Sequence, residues 1–260
     1  MDWLYTVSGF LVGLIVGVTG VGGGSLMTPL LVLFFGVSPA TAVGTDLLYA
    51  SITKAVGGWV HGRNGMVDWK IVGLLSLGSL PAALLTIALF KFLALDEKTL
   101  KGLVTGVLSV ALLLTATALL LKDWIKRIAQ REDGTVYELH HRHLPTATIA
   151  TGAIVGVLVT ISSIGAGVLG TVALLFLYPR LSAVRVVGTD IAHAVPLTAV
   201  AGMGHLALGT VDLLLLGSLL LGSLPGIYIG SHLSAKVPEK VLRPILAVML
   251  LIIGTRLVLH

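Results

Sequence analysis

The sequence predicts an all-α polytopic membrane protein made of two inverted-topology repeats. Three observations carry that prediction. First, 56% of the 260 residues are hydrophobic and only 11% are charged, against about 25% charged in an ordinary soluble domain. Second, apolar runs of spanning or near-spanning length follow one another along the chain. Third, the second half repeats the first. A soluble protein of this size needs a polar exterior, and the mean hydropathy of +1.02 leaves no residues to build one. The absence of cysteine excludes a disulfide framework and a thiolate metal site. The formal charge of +5 sits largely in short connectors, which fits cytoplasmic loops and not a nucleic-acid partner. The first segment carries Asp2, no basic n-region and no small-residue cleavage site, so it reads as a retained helix.

In chain order, apolar runs cover residues 4–19, 25–36, 40–60, 70–92 and 99–121, forming a first repeat over 1–121. A basic polar linker, "KDWIKRIAQREDGTVYELHHRHLP", fills 122–145. Runs at 147–162, 168–178, 184–205, 213–234 and 240–258 form a second repeat over 146–260. The runs at 4–19 and 25–36 are short for a core of about 30 Å at about 1.5 Å per residue. Between them lies "TGVGGGSL", Thr19 to Leu26. Each glycine there costs a helix roughly 1 kcal/mol against alanine, so the backbone breaks. Each repeat is therefore expected to hold a glycine-broken, re-entrant pair and three spanning helices, about 8–10 membrane helices in all.

The duplication is direct. Residues 43–81 laid on 187–225 without a gap give 19 identities in 39 positions. "VGTD", "VD" and "GSLP" recur, and His61 falls on His205. With a shift of one residue, "TGVGGGSL" falls on "SSIGAGVL", Ser162 to Leu169. The linker carries Lys122, Lys126, Arg127, Arg131 and Arg142, which the positive-inside rule places in the cytoplasm. Counting crossings outward from it gives an odd number per repeat, inverted copies and both chain ends outside. "KFLALDEKTLK" alone runs against the rule.

"GVGGGSLMTPLL", "ATAVGTD" some twenty residues on and "GMVDWK" opening the next helix, with their recurrence in the second half, resemble the TauE/SafE family of membrane permeases, known as sulfite exporters. The resemblance covers essentially the whole chain. It implies a multi-pass transporter of small sulfur-containing anions such as sulfite or organosulfonates. Two features depart from the family pattern. An aspartate follows each "GT", and the second glycine break is reduced to "SSIGAGVL".

The residues themselves suggest roles. A helix restarting near Ser25 presents unpartnered N–H groups and the positive end of its dipole, a cradle for an anion that needs no formal charge. The expected substrate-binding residues are Thr19, Gly22, Gly23, Gly24, Ser25, Thr45 and Lys54 in the first repeat. Ser162, Ser163, Gly165, Gly167 and Thr189 are their candidates in the second. The alternative for the glycines is tight helix packing. Asp46 and Asp190 are expected to carry protons, with Thr45 and Thr189 donating hydrogen bonds beside them; the alternative is that each "GTD" caps a helix. Lys54, two turns beyond Asp46, attracts an anion, pairs with an aspartate or snorkels to the interface. His193 shares a helical face with Asp190 and suits a proton relay. His61 and His205 are expected to close turns against Asp68 and Asp212, and Pro81 and Pro225 to kink their helices. "ELHHRHL" reads as a solvated basic loop.

The leading function is a secondary transporter that exports a small anion across the cell (inner) membrane by alternating access, coupled to protons. The alternative is a divalent metal or cation permease using aspartate and histidine ligands. No nucleotide-binding "GxxxxGK[ST]" occurs, and neither "GxSxG" nor "HExxH" suggests an enzyme. No cofactor is expected. The expected partners are the small anion, the lipid bilayer and protons, with a homodimer compatible with the arrangement and no nucleic acid.

Overall fold

The computed structural model describes residues 3–19, 24–63, 65–93, 97–129, 134–233 and 239–259. Ten α-helices run through them, with no strand among the described residues. In order they are α1 (Trp3–Thr19), α2 (Gly24–Phe34), α3 (Pro39–Arg63), α4 (Trp69–Leu93) and α5 (Glu97–Ala129), followed by α6 (Gly134–Ser162), α7 (Val168–Leu177), α8 (Ala183–Ala207), α9 (Leu213–Leu233) and α10 (Glu239–Leu259). Each apolar run of the sequence became one helix. Trp69–Leu93, Lys98–Lys122, His143–Ser162, Ala183–Ala207 and Leu213–Gly230 are long and apolar enough to cross a membrane.

The helix contacts follow the repeat. The α1 helix packs on α9, and α6 packs on α4; α3 and α8 pack on each other, as do α5 and α10. These pairs map onto themselves when each helix is exchanged for its counterpart five places on. Glycines let the pairs approach. A methyl on Gly9 or Gly13 would strike the backbone of Leu219 or Ser223, and one on Gly222 the backbone of Thr6 and Phe10. In the other copy Gly152 faces Leu75, Gly156 faces Ser79, and Gly78 faces Ile149 and Ala153. Membrane helices gain little from apolar burial against one another, so close backbone contact and dispersion hold them. Buried side chains of α1, α2, α5, α9 and α10, including Val12, Met27, Leu31, Leu112, Leu219 and Leu250, form the largest core.

Several expectations change at the helix ends. The "GTD" aspartates do not cap helices. The α3 helix starts at Pro39, with Ser38 Oγ accepting from Thr41 N at 3.3 Å, and α8 starts after Ser182, whose Oγ accepts from Arg185 N at 3.4 Å. The serines take the cap, which leaves Asp46 and Asp190 two turns inside. Capping belongs to Asp68 and Asp212, placed one residue before α4 and α9. Asp68 Oδ1 accepts from Lys70 N and Ile71 N at 3.2 and 3.3 Å; Asp212 Oδ1 accepts from Leu214 N and Leu215 N at 2.9 and 3.0 Å. His205 therefore closes its turn without Asp212. Its Nδ1 lies 2.8 Å from Thr210 Oγ1, and its Nε2 donates to Thr160 O at 2.9 Å. The side chain of His61 lies outside the described residues. The linker is largely helical, because "KDWIKRIAQ" contains no glycine or proline and α5 continues to Ala129 before α6 opens at Gly134. "ELHHRHL", expected as a solvated loop, lies wholly on α6, with side chains mainly outside the described residues. Both α4 and α9 run on through Pro81 and Pro225.

Candidate functional site

The two halves meet at a pair of buried carboxylates. Asp46 on α3 is 0% exposed and Asp190 on α8 is 1% exposed. Each is reached by a threonine from the short helix of its own repeat. Thr28 on α2 donates to Asp46 Oδ2, and Thr171 on α7 donates to Asp190 Oδ2 at 3.1 Å. Thr28 and Thr171 occupy equivalent places in the shifted alignment, nine residues beyond the last residues of α1 and α6, Thr19 and Ser162. The remaining oxygens, Asp46 Oδ1 and Asp190 Oδ1, are buried without a hydrogen-bond partner among the described residues.

The second break is fully visible, and it binds the first repeat. The α6 helix ends at Ser162, whose Oγ donates to Leu158 O at 2.6 Å and accepts from Ile164 N at 3.2 Å. Ser163 follows with φ +58, which is rare for a residue with a side chain. That conformation aims its Oγ at Asp46 Oδ2, to which it donates at 2.9 Å. Gly165 and Gly167 have φ +123 and +137, values glycine adopts without a Cβ penalty. Gly167 precedes α7 and supplies no side-chain cap. Gly170 matters for another reason: a methyl there would overlap Asp190 Oδ1, so the carboxylate lies directly against the α7 backbone.

Lys54 is coupled electrostatically to both carboxylates. It is 7% exposed, its Nζ donates to Ala166 O of the second break at 2.6 Å, and its charge acts on both Asp190 and Asp46. Lys54 therefore does not snorkel. Removing a charge from water costs several kcal/mol unless opposite charge and hydrogen bonds compensate, and here two acids and a carbonyl provide both. His193, one turn beyond Asp190, places Nε2 2.8 Å from Ser79 Oγ on α4, while its Nδ1 has no partner among the described residues. Its counterpart Tyr49 lies beside Ser223, the counterpart of Ser79.

Other expected site residues fall elsewhere. Thr45 Oγ1 accepts from Asp212 N at 3.1 Å, and Thr189 Oγ1 accepts from Asp68 N at 3.0 Å. Each threonine fastens the turn before the opposite repeat's helix and does not donate to its neighbouring aspartate. Of the first break, Gly22 and Gly23 lie outside the described residues. Thr19 ends α1 and Gly24 and Ser25 open α2, but their side-chain environment also lies outside them. Thr28, Thr171, Ser79 and Gly170 were not singled out by sequence reasoning. The repeat alignment held the signal for the two threonines, and "GSLP" held it for Ser79. No group of three His, Asp or Glu side chains that could hold a metal occurs among the described residues.

Two cavities are lined by other residues. One of about 510 Å³ lies between α3, α4 and α8. The other, about 880 Å³, lies between the α2–α3 connection and α5, with Lys98, Lys101, Ser38 and Ser109 in its wall.

An all-helical, duplicated chain with charged groups buried among apolar helices is what a membrane transporter requires. Residues 5–257 match the family described as sulfite exporter TauE/SafE. The chain belongs to that family. It is 37% identical over 250 residues to a probable membrane transporter protein, YjnA, of Bacillus subtilis, covering 96% of this chain and 97% of the relative. A second Bacillus subtilis protein, the probable membrane transporter YdhB, is 30% identical over 238 residues, covering 90% and 91%. No solved structure matches the chain.

Proposed function

We propose that this membrane transporter is a secondary exporter of a small sulfur-containing anion, such as sulfite or an organosulfonate, working by alternating access and coupled to protons. The observation that carries this reading is the buried centre itself: two equivalent carboxylates sharing one ammonium, beside a helix break. A low-dielectric site favours a net charge near zero. Two carboxylates and one ammonium reach neutrality with one proton. An anion docking at Lys54 and the α7 N-terminus adds a negative charge, so it is expected to arrive with a further proton. The substrate-binding groups are then Lys54, Ser162, Ser163, Gly165 and Gly167, together with the first break, and Asp46, Asp190 and His193 handle the protons.

The repeats are read as inverted, with the 122–145 linker in the cytoplasm, both chain ends outside and the protein in the cell (inner) membrane. The chain is read as a carrier and not an enzyme.

A thermal-shift screen of the purified protein tests the substrate. Sulfite or a sulfonate is expected to raise the melting temperature with the logarithm of its concentration, and more at acidic than at alkaline pH. Stabilisation by divalent metals and by none of the anions would overturn the reading in favour of a cation permease. Asp46→Asn and Asp190→Asn are expected to remove the pH dependence of transport while the protein still folds. Unchanged pH dependence in both variants would end the coupling role.

A further inference from the structure

The 510 Å³ cavity between α3, α4 and α8 is lined by smaller residues than those at the equivalent positions of the other repeat. Its walls include Gly62, Val72 and Ala192. Under the repeat alignment these correspond to Leu206, Leu216 and Leu48, so three leucines take the places of a glycine, a valine and an alanine. Gly58 shows the same contrast. A Cβ there would meet Val195 Cγ2 only at 3.6 Å, whereas one on its counterpart Gly202 would meet Leu48 Cδ2 at 2.7 Å. The first repeat has been hollowed where the second is filled.

The rim of the hollow is chemically distinct. Arg63, the last residue of α3, replaces Ala207 of the other copy, and its guanidinium stands 4.8 Å over the ring of Trp59. Trp69 opens α4 on the same rim. The two tryptophans are 62% and 64% exposed. Tryptophan and arginine at helix ends belong at the headgroup level of a bilayer, with the apolar wall below them at acyl-chain depth. Met203 and Leu213 stand at the equivalent positions of the closed copy.

We propose that this crevice is a binding site for an anionic phospholipid of the surrounding bilayer. The headgroup phosphate pairs with Arg63 under the two tryptophans, and an acyl chain lies along Gly58, Gly62 and Val195 against Ala192. The charge of the rim and the apolar wall beneath it match the two ends of such a lipid. A small inorganic anion would leave the wall unused. The lipid would wedge between α3 and α8 one residue from His193, next to the carboxylate centre.

The test uses the full chain, purified in detergent, with dioleoylphosphatidylglycerol or dioleoylphosphatidylcholine added and melting followed. Phosphatidylglycerol is expected to stabilise the native sequence more than phosphatidylcholine. Arg63→Ala should raise the phosphatidylglycerol concentration needed for half the shift about tenfold, the worth of one charge-assisted hydrogen bond. Gly62→Leu, which imports the residue of the closed copy, should abolish the difference between the lipids. The fold should tolerate it, because a Cβ on Gly62 meets only the Trp69 ring at 3.5 Å. If Gly62→Leu fails to fold, Arg63→Ala still decides, since Arg63 is exposed. Equal stabilisation by both lipids, or an Arg63→Ala variant that keeps the full difference, overturns the proposal. So does an Arg63→Ala variant that loses stabilisation by sulfite while keeping that by phosphatidylglycerol, which would assign the crevice to the substrate route.

Discussion

The Asp46 and Asp190 environments descend from one ancestral arrangement, and their differences are confined to the centre. Each carboxylate accepts from a threonine of its own short helix and keeps one oxygen without a partner among the described residues. Asp46 also accepts from Ser163 of the opposite repeat, while Asp190 is pressed against Gly170. Lys54 in the first repeat aligns with Thr198 in the second, and Tyr49 aligns with His193. At the helix joints and turns the copies agree closely, the crevice between α3, α4 and α8 being the exception. The glycine contacts, the threonine-to-turn hydrogen bonds and the aspartate caps recur in pairs. A duplicated scaffold that stays symmetric at its joints and diverges at its buried charges has changed where a ligand or a proton would be handled.

Lys54 tests this contrast most severely. Lys54→Met keeps the side-chain length and removes the ammonium, leaving two buried carboxylates without their shared cation. Leaving buried charge uncompensated costs up to about 3–5 kcal/mol, so a large fall in chemical-denaturation stability is expected, together with loss of transport. Adding Asp190→Asn should recover much of the stability by removing one uncompensated charge. A Lys54→Met variant as stable as the native chain would show that the ammonium does not balance the acids.

Gly170 gives a smaller effect with a sharper location. In Gly170→Ala the new methyl must displace the Asp190 carboxylate. Overpacking of this kind costs about 1–3 kcal/mol, and here it should also impair transport. Gly217→Ala on α9 is the control, since a Cβ there meets nothing within 4 Å. Helix propensity makes that change neutral or stabilising by up to about 1 kcal/mol. Equal melting temperatures for the two variants would mean that Asp190 does not depend on its contact with α7.

Most of the fold was legible because its signals are local. Apolar runs, glycine breaks and an ungapped repeat each lie in contiguous sequence, and the ten helices follow them within a few residues at most ends. The largest departure is the linker, where the polarity of "ELHHRHL" suggests a loop but the segment lies on α6. The centre was legible only in part. Asp46, Asp190 and Lys54 announce themselves as charges in apolar sequence, where burial is expensive. Their partners do not. Thr28, Ser163 and Ser79 are ordinary hydroxyl residues whose bonds reach across 18, 117 and 114 positions. Helical periodicity says which residues share a face, not which face meets which neighbour. For the same reason Thr45 was placed beside Asp46, when its hydroxyl turns to the backbone of Asp212.

The smallest predicted effect concerns the scaffold that the copies share. Asp68 and Asp212 each accept two backbone N–H bonds at the start of α4 and α9. Each also donates its own N–H to the threonine of the opposite repeat. Replacing an N-cap aspartate by alanine typically costs about 1 kcal/mol, and the backbone bond to the threonine survives the change. Asp68→Ala and Asp212→Ala should therefore lower stability by similar small amounts in parallel denaturation curves, with the pH dependence of transport unchanged in both. The pairing of the two measurements matters more than either value. A clearly unequal cost, or a shifted pH profile in one variant only, would mean that the asymmetry of the centre reaches out to the turns at its edge.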